Sequence, residues 1–311
     1  MSNIKYKSFS SLWSNNNILI NVEKNFISNY FLSIFFSTWH KRTLTSQESI
    51  VVNFRNKIHS RTVIDKNFFS YKRVVDNDGV IYTQILNIKW VRAFLRSLFK
   101  FVYKNSSVVG IPELFLSIFR TSIIEPLEYH ANKNGWILSH AAAIKDKNKT
   151  IMIAARSKHG KSTVLNNLLS CSSAKALSDN YVLFNGKAVR TIDEPFRGGK
   201  ASFFKLNFYG RSINGSPAIF DSFLTDLFIL ERGSKNMLTK ISCEEAHKKI
   251  KNINILEKEG IKHLDSDDML FSSFVPKIKI NSDINCYKLE IAEGEKNITN
   301  ACASIKAIIN E

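Results

Sequence analysis

Apolar residues fall in short, evenly spaced runs over the first ninety positions of this chain. Residues 18–22 (I-L-I-N-V), 49–54 (S-I-V-V-N-F), 61–64 (R-T-V-I) and 80–86 (V-I-Y-T-Q-I-L) each read as a strand, because β-branched and aromatic residues suit a pleated, half-buried surface. Asp76-Asn77-Asp78-Gly79 lies between the last two runs and is a strong turn signal. The period then changes. Residues 90–103, W-V-R-A-F-L-R-S-L-F-K-F-V-Y, set apolar side chains at helical spacing, with Arg92, Arg96 and Lys100 on another face. This predicts a helix whose basic stripe is solvated. A further helix starts at Pro112, runs to about Asn134 and stops at Gly135. The apolar run 26–39 is too short to cross a bilayer and reads as a buried helix, with a membrane-surface helix as the other reading.

From Trp136 onward strand and helix patterns alternate. Residues 136–144 (W-I-L-S-H-A-A-A-I) predict one strand, 145–149 a turn, 150–155 the next strand and 162–170 a helix. A-K-A-L-S (174–178) is another strand. Y-V-L-F and K-A-V-R then flank Asn185-Gly186, a dipeptide suited to a type I′ hairpin. L-F-I-L (227–230) leads to a helix opening at Ser242, where Ser242 and Glu245 form an S-x-x-E capping box. K-I-K-I, Y-K-L-E-I and a final helix from about Asn297 complete the chain. The fold class expected is α/β in a mixed α+β arrangement. A smaller basic, β-rich domain covers 1–108, and a larger domain of alternating strands and helices covers 109–311.

The chemistry concentrates in residues 150–163, T-I-M-I-A-A-R-S-K-H-G-K-S-T. An apolar strand, then Gly-Lys-Ser-Thr, then a helix is the second half of a phosphate-binding loop. Its backbone N–H groups cradle phosphates, its Lys reaches the β/γ oxygens, and its hydroxyl binds Mg²⁺. Ser157, Lys158, His159, Gly160, Lys161, Ser162 and Thr163 are thus the candidate nucleotide-binding residues. Ala155 stands where the first glycine belongs, which a Cβ permits only if φ there is negative. Phosphoryl transfer also needs carboxylates. Asp179 is the nearest candidate, at the end of the next strand, where an ordinary strand-end turn is the other reading.

Charge narrows the partners. The net charge is +17, and residues 1–105 carry 16 Lys/Arg against 5 Asp/Glu. That favours anionic partners such as an acidic substrate, although a lysine-biased proteome gives the same balance. No helix-turn-helix or aromatic RNA-binding motif stands out, so nucleic acid is not expected. Cys171, Cys243, Cys286 and Cys302 lie far apart in sequence and form no C-x-x-C pair. Neither a zinc site nor a disulfide scaffold is expected, and a reducing cytoplasm suits them. The N-terminus lacks an apolar h-region, so no signal peptide is expected. No membrane span is expected either.

L-S-H-A-A-A-I (138–144), I-A-A-R-S-K-H-G-K-S-T (153–163), A-L-S-D-N-Y-V-L-F (176–184) and L-F-I-L-E-R-G with I-S-C-E-E-A (227–246) together resemble the HPr serine kinase-like family. The likeness covers roughly 110–250. It implies the phosphoenolpyruvate-carboxykinase-type nucleotide fold and ATP-dependent, Mg²⁺-requiring transfer of the γ-phosphoryl group to a hydroxyl. The acceptor would be a serine of a peptide or protein, or a small molecule. It assigns Lys161 to the β/γ-phosphates, Ser162 to Mg²⁺, Asp179 to base and metal neighbour, and His140 to the site wall. His140 read alone is a core histidine.

The family's second Asp is Asn180 here, which offers a metal only a carbonyl oxygen. Its middle loop glycine is Lys158. Arg197, in P-F-R-G-G behind Asp193 and Glu194, is either a charge stabiliser or an exposed turn arginine. Members of the family often assemble, so a homo-oligomer is expected from the resemblance alone. The eroded loop and Asn180 leave a second expectation, a catalytically impaired nucleotide-binding regulatory module.

Overall fold

The computed structural model describes residues 7–8, 17–22, 48–54, 64–65, 68–75, 77–78, 80–102, 114, 117–157, 159–170, 174–191, 196–197, 208–209, 221–259 and 277–310. The run 26–39, residues 61–63, Pro112, Lys158, Cys171, Asp193 and Glu194 lie outside them. Sheets and helices are mixed, and the chain divides into two compact units. One comprises Met1–His130, Arg197–Arg211 and His263–Ser273; the other comprises Ala131–Phe196, Ser212–Lys262 and Phe274–Glu311. The division falls after His130, where the sequence reading puts it after residue 108. Segments 197–211 and 263–273 return to the first unit, which no local pattern announces.

The first unit holds β1 (Lys7–Ser8), β2 (Asn17–Val22), β3 (Glu48–Phe54), β4 (Ile64–Asp65), β5 (Ser70–Val75) and β6 (Ile81–Leu86) in one sheet of order β1-β2-β3-β6-β5-β4. β2, β3 and β6 run parallel, and β5 pairs antiparallel with β6 across the turn at Asn77 and Asp78. β5 carries no apolar alternation because its inward position is Arg73, whose side chain is 2 % exposed, while Val74 faces out. The guanidinium lies over the Tyr71 ring, 5.0 Å from its centroid.

α1 (Trp90–Val102) follows β6. Here the expected orientation holds at Arg92, which is exposed, and fails at Arg96 and along the apolar stripe. Val91, Phe94, Leu95 and Leu98 are exposed, while Ala93 is buried and Arg96 stacks 5.0 Å over the Phe68 ring. The arginine stem and plane cover an aromatic face well enough to occupy the inner side.

α2 (Glu125–Lys133) shows how a proline shapes a helix. Pro126 has no N–H, and its ring crowds the carbonyl four residues back. The chain widens into a π turn at Arg120–Ile124, in which the Glu125 N–H donates to the Arg120 carbonyl. The next carbonyl, Thr121 O, would look to Pro126 for a donor. Arg73 Nη2 donates to it instead, and Nη2 also meets Glu125 Oε2 at 2.8 Å in a pair with both side chains buried. Gly135, at φ 75°, then ends the helix as expected, with the Trp136 N–H donating back to Ala131 O.

The second unit contains β7 (Ile137–Ser139), β8 (Ala141–Asp146), β9 (Lys149–Ala155), α3 (Lys161–Ser170), β10 (Lys175–Ser178), β11 (Val182–Phe184) and β12 (Ala188–Thr191). β13 (Phe196–Arg197), where the division falls, and β14 (Phe208–Tyr209), in the segment that returns to the first unit, form a separate ribbon. β15 (Asp221–Phe223), β16 (Asp226–Arg232), β17 (Met237–Ile241), α4 (Cys243–Glu259), β18 (Asn285–Ile291) and α5 (Glu295–Asn310) follow. The large sheet runs β10-β8-β9-β16-β18-β17, with β9, β16 and β18 parallel. β15-β12-β11-β7 form a second, antiparallel sheet.

Alternate residues of the central strands feed two cores. Met152, Ala154, Leu227 and Ile229 pack with Ala246, Ile250 and Ile253 of α4 and with Val182, Phe184 and Val189 of the smaller sheet. Ile151, Ile153, Phe228 and Leu230 pack with Val164, Leu165 and Leu168 of α3 and with Ala301, Cys302 and Ile305 of α5. β9 and β16 are buried on both faces, hence their unbroken apolar runs.

Three expectations are corrected here, and one contact appears that spacing did not announce. Residues 136–144 form two strands in two sheets, β7 and β8, with His140 at the break. The Asn185-Gly186 turn is not type I′, because only Gly186 has positive φ (89°) and the Asn185 side-chain oxygen accepts from the Lys187 and Ala188 N–H groups. K-I-K-I joins no ladder. It buries Ile278 and Ile280 while the Asn281 N–H donates to Gly186 O, and a Cβ at Gly186 would lie 2.2 Å from Lys279 O. The Cys243 and Cys286 thiols, distant in sequence, come within 3.9 Å. Burial, with Cys243 beside it, pushes the Cys286 thiol up to about 12.

Ser242 caps α4 as expected, its Oγ accepting from the Glu245 N–H at 3.1 Å. Among the described residues, no helix is long and apolar enough to cross a membrane.

Candidate functional site

The site is built on the carboxyl end of β9. Ala155 is the last residue of that strand, paired with Leu230 of β16, and its φ is not positive. Its Cβ is therefore tolerated where the motif has glycine. The chain turns with the His159 N–H donating to Arg156 O at 3.2 Å, and Gly160 adopts φ 88°. Among the described residues no atom beyond its chain neighbours lies within 4 Å of a Cβ built on Gly160, so the space beside it is open to them. The Val164 N–H donates to Gly160 O at 2.9 Å, which starts α3 immediately after the glycine. The first-turn N–H groups of α3 belong to Lys161, Ser162 and Thr163, and no acidic residue stands in that turn to offset the positive helix end.

Lys161 is buried, and its Nζ donates to the Asn180 carbonyl at 3.1 Å. That contact ties the loop to the bend at Asp179 and Asn180, which follows β10. Asp179 is itself buried, at 3 % exposure. β10 pairs with β8 with an irregularity between Ala176 and Ser178, and the Ser178 hydroxyl donates to Tyr181 O, which closes the bend.

His140 occupies the break between β7 and β8 and is buried. Its Nδ1 contacts Ala155 O at 2.8 Å, and its Nε2 contacts Asn180 Oδ1 at 3.1 Å. A carbonyl only accepts, so Nδ1 carries a proton. Nε2 then donates to Oδ1 in the imidazolium, or accepts from the Asn180 amide turned about its last bond. Either way His140 bridges the end of β9 to the Asp179–Asn180 bend. Tyr181 packs edge-on against its ring with centroids 5.9 Å apart.

Asn254 of α4 was missed by the sequence reading. Its Oδ1 accepts from the His140 N–H at 3.2 Å and from Ser139 Oγ at 3.3 Å, holding the strand break. An asparagine three turns into a helix carries no motif; only the fold identifies it.

His159 points toward the end of β16. Burial pushes its imidazole below the ordinary value and the Leu230 carbonyl partly opposes this, while Arg156 and Arg232 add to the fall. Ser157 is exposed, Ser162 half-buried and Thr163 exposed. Arg197 stands in β13 and its side chain lies outside the described residues, as does all of Lys158. The site therefore joins His140, Ala155, Lys161 and Asn180 by hydrogen bonds, with Asp179 at the junction. Asn180 Oδ1, expected on a metal, faces His140.

Among the described residues no cluster of three or more His, Cys, Asp or Glu side chains could hold a metal by itself. No protein-family model matches the chain, and no curated protein matches its sequence. What stands is a mixed α+β fold with a strand–turn–helix segment carrying Gly160-Lys161-Ser162-Thr163 at the carboxyl edge of a parallel strand pair.

Proposed function

We propose that this chain is an ATP-dependent kinase with an HPr kinase/phosphoenolpyruvate-carboxykinase-like nucleotide-binding domain, transferring the γ-phosphoryl group to a hydroxyl. The observation that carries the reading is the bond from Lys161 Nζ to Asn180 O. It ties the motif lysine, across nineteen positions of chain, to the bend that carries Asp179, the nearest carboxylate the sequence reading offered for the chemistry.

The residues fit a nucleotide phosphate. The Lys161 ammonium, tied to Asn180 O at the loop, is a charged donor suited to phosphate oxygens. Gly160 leaves its space open, and the first turn of α3 presents N–H groups to an anion. They also fit Mg²⁺, which typically takes one or two carboxylates, water and substrate phosphates rather than a cage of protein ligands. Ser162 and Asp179 would hold it, and when bound it neutralises phosphate charge.

Asp179 accepts the proton of the attacking hydroxyl as the new O–P bond forms and the bond to the leaving diphosphate breaks. His140 is a positioning residue that fixes the Asp179–Asn180 bend against β9, and Asn254 holds His140 in turn. The basic first unit would receive an acidic peptide, protein or small-molecule acceptor.

One observation favours a second reading. Asn180 supplies no charge and turns its amide to His140, so metal binding falls to Asp179 and Ser162, and a nucleotide-binding regulatory module results if those two do not suffice. Incubation with γ-labelled ATP, Mg²⁺ and serine-bearing candidates separates the two. The kinase gives labelled product that Asp179→Ala abolishes while the folded protein still binds nucleotide. The module binds nucleotide and labels nothing.

A further inference from the structure

α1 carries an amphipathic pattern with its apolar stripe turned to solvent. Val91 is 74 % exposed, Phe94 and Leu95 46 % each, and Leu98 42 %. The positions 91, 94, 95 and 98 repeat at three and four residues and so form one stripe on a helix. The other side is already occupied, by buried Ala93 and by Arg96 over the Phe68 ring. An apolar groove continues the stripe, lined by Ile88, Trp90, Val91 and Leu95 with Lys89, Arg92 and Arg96 about it. A contiguous exposed apolar patch rimmed by charge marks a binding surface.

The charge selects the occupant. α1 contains no acidic residue, and the first 105 positions hold 16 basic against 5 acidic residues. A second copy on this stripe would bring two such basic surfaces together, with Arg92 near its own equivalent. An acidic polypeptide would neutralise Lys89 and Arg92 without needing four large apolar side chains. A sheet of anionic headgroups over hydrocarbon answers both features along a convex helix.

We propose that α1 lies flat on an anionic lipid bilayer, with Val91, Phe94, Leu95 and Leu98 entering the acyl boundary and Lys89 and Arg92 meeting headgroup phosphates. A helix of 13 residues is about 20 Å long and does not span, so the attachment is peripheral and reversible. It does not depend on the kinase reading.

The test is co-sedimentation of the full chain with vesicles of phosphatidylcholine and phosphatidylserine in equal parts, beside vesicles of phosphatidylcholine alone. Binding is expected to the anionic vesicles, to weaken with added salt, and to be at least tenfold lower on neutral ones. Each apolar CH₂ withdrawn contributes a factor of about four, so Phe94→Gln with Leu95→Gln lowers the partition more than tenfold. Arg92→Gln lowers it about fivefold. Leu98→Gln serves as an independent variant, and far-UV circular dichroism and thermal unfolding should match the parent because all these side chains are exposed.

Absence of binding to the anionic vesicles overturns the proposal. So does binding that the Phe94/Leu95 variant retains in full, since charge elsewhere then accounts for it. Light scattering that shows a parent dimer dissociated by Leu98→Gln overturns it too, because a second copy then covers the stripe.

Discussion

Replacing Arg73 with Met removes the one guanidinium that serves both Thr121 O and Glu125 Oε2. Both partners of the ion pair are buried, at 2 % and 3 % side-chain exposure. Breaking such a pair from one side costs about 3–5 kcal/mol, softened by Arg120 Nε 4.0 Å from Glu125 Oε1, and loss of a donor to a buried carbonyl costs about 1–3 kcal/mol. The two overlap because one side chain supplies both, so about 4 kcal/mol is expected. Amide hydrogen exchange in the β5–β6 ladder reads this locally, without assuming that the two units unfold together. A loss of about 4 kcal/mol lowers protection there about a thousandfold.

Pro126→Ala sharpens the test. It returns an N–H to the helix, so the orphaned carbonyl has a donor of its own, and the double variant should lose at least about 1 kcal/mol less than the sum of the single changes. A fall in protection below tenfold for Arg73→Met, or no coupling to Pro126, would refute the claim that the arginine repairs what the proline breaks.

Three further outcomes are expected. Gly186→Ala should destabilise the second unit by more than about 1 kcal/mol in urea unfolding, because φ is 89° and the new Cβ meets Lys279 O. His159 has a folded-state pKa below its unfolded value, so the unfolded chain binds more protons and stability falls with acidification. Urea midpoints between about pH 7 and pH 5 should drop less in His159→Gln than in the parent. Under non-denaturing conditions at neutral pH, iodoacetamide should modify half-buried Cys243 well before Cys286, whose thiol is buried and pushed to about 12. Peptide mapping distinguishes the two.

The helices and central strands were legible in sequence wherever the burial of an element follows its apolar period. β9, α3, β16 and α5 belong to this class, since both faces or one stripe of each meet a packed core. β5 was hidden because its inward position is an arginine that satisfies a carbonyl left by Pro126, a reason that lies some fifty residues away. α1 shows the converse. Its period is helical, but period alone does not say which side faces the core, and Arg96 took the side an aliphatic residue was expected to fill.

At the candidate site, the strand–turn–helix around Gly160, Lys161 and Ser162 was readable because its sequence signal is local, and so was the place of Asp179 at a strand end. That His140 sits at a break between two sheets, and that Asn254 holds the break, depends on contacts across 114 positions or more. No spacing rule reports such contacts.

The central claim is that the loop around Gly160 and Lys161 receives the phosphates of a nucleotide. Isothermal titration of the full chain with Mg²⁺·ATP, beside the Lys161→Met variant, tests it most directly. Each charge-assisted hydrogen bond contributes about 1.5–3 kcal/mol, so saturable binding is expected in the parent and affinity about a hundredfold weaker in the variant, with thermal unfolding of the ligand-free variant showing it still folded. No heat of binding in the parent, or equal affinity in both proteins, would contradict the account.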